Sequence, residues 1–177
     1  MSEKRRLPML QPSSDEEERP AWHWSGIGGV ALLLFFWPLS FLANAYAKHV
    51  LARLVPTGDA SATKAAVAAM SASDRVWLSV VVVIGPMLAL ALSSLLSGLL
   101  VGRFGGDAGK REALVGGIGA ACLLALISLS QSLSKGGSVE NWLLTATVVL
   151  GLAGLSAYGG ARLGLRLRPS SGLVDER

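Results

Sequence analysis

The sequence predicts an all-α integral membrane bundle of four transmembrane helices. Of its 177 residues, 51% are hydrophobic and only 16% are charged, whereas soluble domains carry about 25% charged residues. Four stretches of at least 21 residues contain no Asp, Glu, Lys or Arg. About 20 apolar residues cross a bilayer as a helix, and backbone groups in lipid must bond within their own segment. The predicted spans are therefore about 25–46, 76–101, 113–133 and 141–161.

The first span follows a polar segment, residues 1–22, which we expect to be a disordered cytoplasmic tail. Pro38 lies inside the span and favours a kink. Trp37 lies away from the membrane interface where tryptophan is usual, which indicates packing against another helix. The small residues at 43–45, Ala-Asn-Ala, leave an alternative open, in which the first span is a signal peptide cleaved after Ala45.

Residues 47–75 form the outer loop. Its first part, AKHVLARLV, either continues the first helix or lies along the membrane surface. The alanine-rich stretch from Ser61 to Met70 predicts a short helix, and Ser73 and Asp74 are candidate N-cap residues for the second span. His49 has no companion ligands in the sequence pattern, so we expect no metal site there.

The inner loop GRFGGDAGKREALVGG, residues 102–117, is glycine-rich and raises the question of a phosphate-binding loop. A P-loop needs the pattern G-x-x-x-x-G-K-[ST] between a strand and a helix. When Gly109-Lys110 is taken as the Gly-Lys pair, the first glycine is replaced by Phe104 and the hydroxyl residue by Arg111. Since a membrane helix precedes the loop, we interpret it as the turn of a helical hairpin.

The basic residues predict the orientation, because positive charge favours the cytoplasmic side. With the N-terminus inside, eleven Lys and Arg residues are cytoplasmic and five lie outside. The transmembrane domain is then 23–164, with a cytoplasmic tail at 165–177. The composition favours a bacterial inner membrane with both termini in the cytoplasm.

Two segments of the chain are weakly alike. LSGLLVGRFG, residues 96–105, and LSAYGGARLG, residues 155–164, share Leu, Ser, Arg and Gly at an offset of 59 residues. This offset aligns Gly98 with Ala157 and Gly102 with Ala161. The match fits two similar hairpins related as parallel repeats, although the same offset does not link spans one and three.

Small residues recur at a spacing of four on three spans and form candidate helix-packing faces. The candidate residues are Ser94, Gly98 and Gly102 in span two, Gly117 and Ala121 in span three, and Ser156, Gly160 and Gly164 in span four. Span four has a second such face at Ala153, Ala157 and Ala161. These faces serve packing inside the bundle or contact with a partner, and the sequence leaves both open.

No Asp, Glu, Lys, Arg or His lies in the core of any span, although such residues are the usual parts of proton relays and ion pathways. We therefore expect no catalytic residues, no cofactor and no metal. Because the basic residues are scattered among the segments between spans, we also expect no nucleic-acid binding. The predicted function is a non-enzymatic structural or accessory subunit that acts by helix–helix packing. Its expected partners are the lipid bilayer and either a second copy or another membrane protein. The alternative is a small transporter or channel component, in which Pro38 and Pro86 break helices around a shared polar cavity.

Overall fold

A computed structural model describes residues 21–54, 60–106, 108–134 and 138–168. Most of the predicted N-terminal tail, residues 55–59 of the outer loop, Asp107, residues 135–137 and residues 169–177 lie outside these ranges. The described residues contain five helices: α1 (His23–Leu54), α2 (Ala60–Ala69), α3 (Ala72–Phe104), α4 (Lys110–Ser134) and α5 (Val139–Arg166). All but α2 are long and apolar enough to cross a membrane. The all-α architecture of four apolar helices is therefore confirmed.

The helices are longer than the charge-free stretches that predicted them. α1 has 32 residues and α3 has 33, so each is about 50 Å long at 1.5 Å per residue. A hydrocarbon core is about 30 Å thick, so both helices extend beyond it. α1 runs to Leu54, which means that the first part of the outer loop continues the first helix. α1 runs through Pro38 and α3 through Pro86 without a break.

The first turn of α3 corrects one prediction. The N-cap is Ser71, not Ser73 or Asp74. Its Oγ accepts a hydrogen bond from the Asp74 backbone N–H at 3.2 Å and donates to Asp74 Oδ2 at 2.6 Å. Asp74 is three residues after Ser71, the spacing at which an N-cap side chain and the third helical residue form hydrogen bonds with each other. This spacing favours Ser71 as the cap. Ser138 caps α5 in the same way, through the N–H of Asn141.

The four long helices form a ring in which α1 packs on α3 and α4, and α5 packs on the same two helices. α3 and α5 share the most extensive contact. Since successive spans alternate in direction, α3 and α5 are parallel, and so are α1 and α4. We call one end the arginine-rich end, where α1 begins, α3 connects to α4 and α5 ends. The opposite end, which carries α2, is the α2 end.

The core consists mainly of small side chains. The largest fully buried residues are Leu32, Val101 and three serines, and Ala121, Ala153, Ala157 and Ala161 are completely inaccessible. Helices that bury only small residues approach closely, and dispersion contacts and packing then hold them together in lipid. The bundle is therefore stabilised by contacts between backbones more than by a thick layer of large side chains.

Candidate helix-packing site

The closest helix contact lies between α3 and α5, where backbone meets backbone. A Cβ atom placed on Gly98 would lie under 3.0 Å from the Ala157 backbone, and one on Gly160 would be equally close to Leu95. Gly102 and Gly164 make the corresponding contacts one helical turn further on, with Ala161 and Leu99. Because the obstructing atoms belong to the backbone, no side chain can rotate away to make room. Glycine is required at these four positions for this helix separation.

The two similar segments of the sequence lie against each other at this contact. Gly98 and Ala157, which the 59-residue offset aligns, lie directly against each other, and Gly102 lies against Ala161 in the same way. A parallel pair of similar helices related by a two-fold axis brings equivalent residues together. The two matching segments are therefore the two sides of one interface.

A second parallel contact joins α1 and α4 and was missed from the sequence. A Cβ on Gly116 would lie 2.5 Å from the Ser25 carbonyl oxygen and 3.2 Å from the Gly29 nitrogen. Gly29 and Gly116 are 87 residues apart, so a search at 59 residues does not find them. The larger separation reflects the long connection between α1 and α3, which contains α2. The glycine pairs at 28–29 and 116–117 were the available signal.

The eight residues predicted for helix packing do not all have the same surroundings. Ser94 and Ala121 are completely buried, the glycines of α3 and α5 form the contact described above, and Ser156 is only half-buried. A Cβ on Gly117 would lie 2.8 Å from the Ala157 Cβ, so Ala157 fits between α3 and α4. Both small-residue faces of α5 are thus used inside the bundle.

The buried hydroxyl groups all donate to backbone carbonyls. Ser93 donates to Ala89 O at 2.6 Å and Ser94 to Leu90 O at 2.8 Å, within α3. Ser97 donates across the bundle to Gly28 O of α1 at 2.5 Å. Within the described ranges, no buried side-chain nitrogen or oxygen atom lacks a partner. The serines therefore serve helix geometry and helix contact and do not point into a polar path.

The arginine-rich end is closed by one guanidinium group. Arg168 donates from Nε to Gly102 O at 2.6 Å, from Nη2 to Ala108 O at 2.8 Å, and from Nη1 to Gly106 O. Gly106 has a φ of 56°, a left-handed conformation that glycine adopts readily. A cation just after α5 thus binds one carbonyl in the last turn of α3 and two in the α3–α4 connection.

The start of α4 is also capped from within the chain. Glu112 Oε2 accepts the Gly109 backbone N–H at 2.6 Å, and Lys110 Nζ lies 5.7 Å from the centre of the Tyr158 ring. A phosphate would need free backbone donors at this helix start, and one of them is occupied by a carboxylate. The glycines of this loop form a turn whose backbone is held by hydrogen bonds from Arg168 and to Glu112. This agrees with its interpretation as the turn of a helical hairpin.

A cavity of about 290 Å³ lies in the half of the bundle nearer the α2 end, and all four long helices contribute to its lining. Its walls are apolar, and the polar side chains at its edge are Ser128, Trp142 and Thr145. Trp142 Nε1 donates to Ala125 O at 3.1 Å, and Thr145 Oγ1 donates to Asn141 O at 2.9 Å. The cavity therefore presents little hydrogen-bonding capacity to a ligand.

The outward face of α1 carries large exposed side chains in a stripe. Val30, Leu34, Trp37 and Phe41 are 59%, 68%, 75% and 73% exposed. Their spacing of four, three and four residues places them on one side of the helix. Trp37 stays largely exposed among the helices that the structure describes, so the contact predicted for it is not made with any of them. We call these four residues the Trp37 stripe.

No protein-family model, curated protein or solved structure matches this chain. Across the residues that the structure describes, there is also no group of three or more His, Cys, Asp or Glu side chains that could hold a metal. The architecture alone defines the class, which is a multi-pass membrane protein of four apolar helices in two hairpins.

Proposed function

We propose that this protein is a non-enzymatic accessory subunit of the bacterial inner membrane, and that it binds a partner membrane protein through the Trp37 stripe. The observation that carries this proposal is a tryptophan that is 75% exposed within a membrane-spanning helix. The arginine-rich end is proposed to face the cytoplasm, following the distribution of basic residues.

The position of Trp37 along α1 supports a protein contact. Trp24 lies at the start of the helix, where an interfacial tryptophan is expected. Trp37 is thirteen residues further on, which corresponds to about 20 Å along the axis. With a hydrocarbon core about 30 Å thick, its indole lies well inside the apolar region. Packing against a partner helix gives the indole N–H a chance of a carbonyl partner that lipid tails do not offer.

The spacing of the stripe also suits a helix as partner. Apolar residues that alternate at four and three positions form the seam of left-handed helix packing. In membranes most helix pairs cross at about 20° in this way. The stripe extends over eleven residue steps from Val30 to Phe41, which is about three helical turns. This length is sufficient for one partner helix to follow α1.

The interior of the bundle gives less support to the transporter or channel alternative. That alternative required helices broken at Pro38 and Pro86 around a polar cavity. Both helices run through their prolines, the cavity is apolar, and the buried serines donate to the backbone. We therefore favour a rigid scaffold whose active surface is on its outside.

Site-specific photocrosslinking in native membranes tests this function. A photoreactive amino acid replaces Trp37, and adducts are purified and identified by mass spectrometry. We expect one dominant protein adduct, which a second crosslinker at Leu34 reproduces. Leu144 and Leu155 of α5 are 70% and 74% exposed and serve as controls that should give lipid adducts only.

The outcome at Trp37 decides between forms of the proposal. An adduct with another membrane protein supports the accessory subunit, and an adduct with a second copy supports a homo-oligomeric scaffold. Lipid adducts alone at Trp37, equal to those at Leu155, would contradict both forms.

A further inference from the structure

We propose that the cavity near the α2 end binds one acyl chain of a phospholipid from the adjacent leaflet. This inference concerns a different surface from the Trp37 stripe and does not depend on a protein partner. The cavity measures about 290 Å³, and its walls include Phe36 of α1, Leu90 of α3, Leu124 of α4 and Val149 of α5.

The cavity exists because the two halves of the bundle differ in the size of their contact residues. Near the arginine-rich end, glycines at 98, 102, 116 and 160 bring the helices into backbone contact. Towards the α2 end, larger residues occupy the inner faces, including Pro86, Met87 and Trp142. The half-buried Trp142 indole lies between α5 and α4, where it donates a hydrogen bond to Ala125 O and occupies space that a small residue would leave to close contact. A gap between the four helices results.

The lining excludes water as the natural occupant. A buried water typically needs two to four polar partners. Around this cavity the Thr145 hydroxyl proton and the Trp142 N–H are already donated to backbone carbonyls. Ser128 lies at the exposed edge, and the rest of the wall consists of apolar side chains. An unfilled gap loses dispersion contacts on every side. At this depth the surrounding solvent is lipid tails, so a hydrocarbon chain is the available occupant.

The position of the polar groups gives the chain its direction. Trp142 is the fourth residue of α5, and Ser128 lies six residues before the end of α4, so both are within about 10 Å of the helix ends. Ser128 and Thr145 are exposed at the cavity edge. The ester group of a lipid would lie beside these hydroxyls, with the chain running inwards towards Leu90 and Val149.

The volume limits the ligand to one chain. Pockets that enclose whole drug-sized ligands measure about 300–1,000 Å³, and this cavity lies just below that range. A two-chain lipid cannot enter completely, so its second chain remains in the bilayer. We therefore expect one bound phospholipid per protein, held by a single tail.

Photolabelling of the full-length protein in digitonin micelles, where no other acyl chain competes with the probe, tests this site. The probe is phosphatidylcholine with a diazirine in one acyl chain. We expect saturable adducts on the segments that contain Pro86 to Leu90 and Ala146 to Val149, displaced by unlabelled phosphatidylcholine. Adducts on the Trp37 stripe should increase linearly with probe, as for bulk lipid. A diazirine-labelled fatty acid tests whether a free single chain competes equally well.

A matched pair of tryptophan substitutions locates the binding. Ala146 lines the cavity and is 7% exposed, whereas Leu144 is 70% exposed on the same helix. Ala146→Trp should reduce the saturable adducts at least tenfold, and Leu144→Trp should leave them unchanged. Far-UV circular dichroism and gel filtration check that each variant folds, and Ala146→Leu replaces a variant that does not.

Three results would overturn the proposal. The first is labelling of the wild-type cavity segments that does not saturate. The second is equal labelling of folded Ala146→Trp and wild type. The third is preferential modification of these segments by a water-soluble diazirine, which would show that the cavity is hydrated. The first and third results come from the wild-type protein. They therefore test the proposal even if a variant fails to fold.

Discussion

Gly159 and Gly160 are adjacent in the chain but have opposite surroundings. A Cβ on Gly160 would lie under 3.0 Å from the Leu95 backbone, whereas a Cβ on Gly159 would have no atom of another helix within 4 Å. The same chemical change at two neighbouring positions therefore separates the effect of helix contact from the effect of helix propensity.

We expect Gly160→Ala to destabilise the bundle by about 1–3 kcal/mol, because α3 and α5 must move apart to admit the methyl group. Gly159→Ala should be neutral or stabilising by up to about 1 kcal/mol, because alanine favours helix over glycine. Reversible unfolding by sodium dodecyl sulfate in mixed micelles, followed by circular dichroism, measures both. Equal effects of the two changes would show that the close α3–α5 contact is not formed in the membrane protein.

Arg168 is the second residue whose role is specific to its position. It binds one carbonyl in the last turn of α3 and two in the α3–α4 connection, while Arg166 two positions earlier is exposed. Neutralising either residue removes the same charge. A difference in stability between the two variants therefore measures the contribution of the hydrogen bonds that Arg168 makes.

Arg168→Gln should destabilise the protein by about 1–3 kcal/mol, as expected for hydrogen bonds that involve a charged group. It should also speed amide hydrogen exchange at Gly105, Gly106 and Ala108. Arg166→Gln should change neither property. Hydrogen exchange with mass spectrometry in detergent checks this, and unchanged exchange in Arg168→Gln would refute the clamp.

At the scale of elements, one hydroxyl connects the first hairpin internally. Ser97 of α3 donates to Gly28 O of α1, whereas Ser93 donates within its own helix. Both side chains are buried. The Gly28 carbonyl keeps its own helical partner when the serine is removed, so the loss is limited to the contact between helices.

Ser97→Ala should lower the stability by about 0.6 kcal/mol, a typical value for hydrogen bonds between membrane helices. Ser93→Ala should have a smaller effect, because no contact between helices is lost. The same unfolding assay compares them, with Ser94→Ala as a second internal control. A larger loss for Ser93→Ala would contradict the assignment of Ser97 as the link between α1 and α3.

The existence of the four long helices follows from the sequence because lipid leaves the backbone almost no other choice. Their lengths do not, since Lys48 and Arg75 end the charge-free stretches while the helices continue outside the hydrocarbon. The predicted N-cap residues, Ser73 and Asp74, are two and three residues too late, because Ser71, Ser73 and Asp74 are all typical capping residues. Only the spacing from Ser71 to Asp74 permits the reciprocal bonds.

The small-residue faces were visible in the sequence, but their partners were not. α5 has two such faces, and spacing alone does not tell which neighbour each one meets. Ala157 contacts both Gly98 and Gly117, a relation that depends on how three helices are arranged in space. The spacing of four residues selected Gly117, which faces α5, and did not select its neighbour Gly116, which faces α1. The contact of Gly116 with α1 was therefore missed. The cavity has no sequence signature, because it is defined by an absence of atoms between four helices.

At the scale of the whole molecule, the proposed orientation leads to a labelling pattern. In a Cys122→Ala background, a single cysteine is placed at Ala69 in α2 or at Ser170 in the C-terminal segment. An impermeant maleimide should label Ala69→Cys in intact cells and Ser170→Cys only after permeabilisation, because the arginine-rich end is proposed to be cytoplasmic. The reverse pattern would invert the topology. The mass of the purified chain shows in addition whether it is cleaved after Ala45.

The parallel contacts of α3 with α5 and of α1 with α4 mean that each hairpin presents its glycines to the other hairpin. The chain between Phe104 and Lys110 is the short covalent link between the two hairpins. Apart from this link, the hairpins contact each other as two separate molecules would. The fold is in this sense two helical hairpins joined in tandem, and the hairpins differ in the length of their extramembrane connection. Two separately expressed halves, residues 1–106 and 107–177, would therefore be expected to complement each other in the same bilayer, and each half alone would be left with an unsatisfied glycine surface.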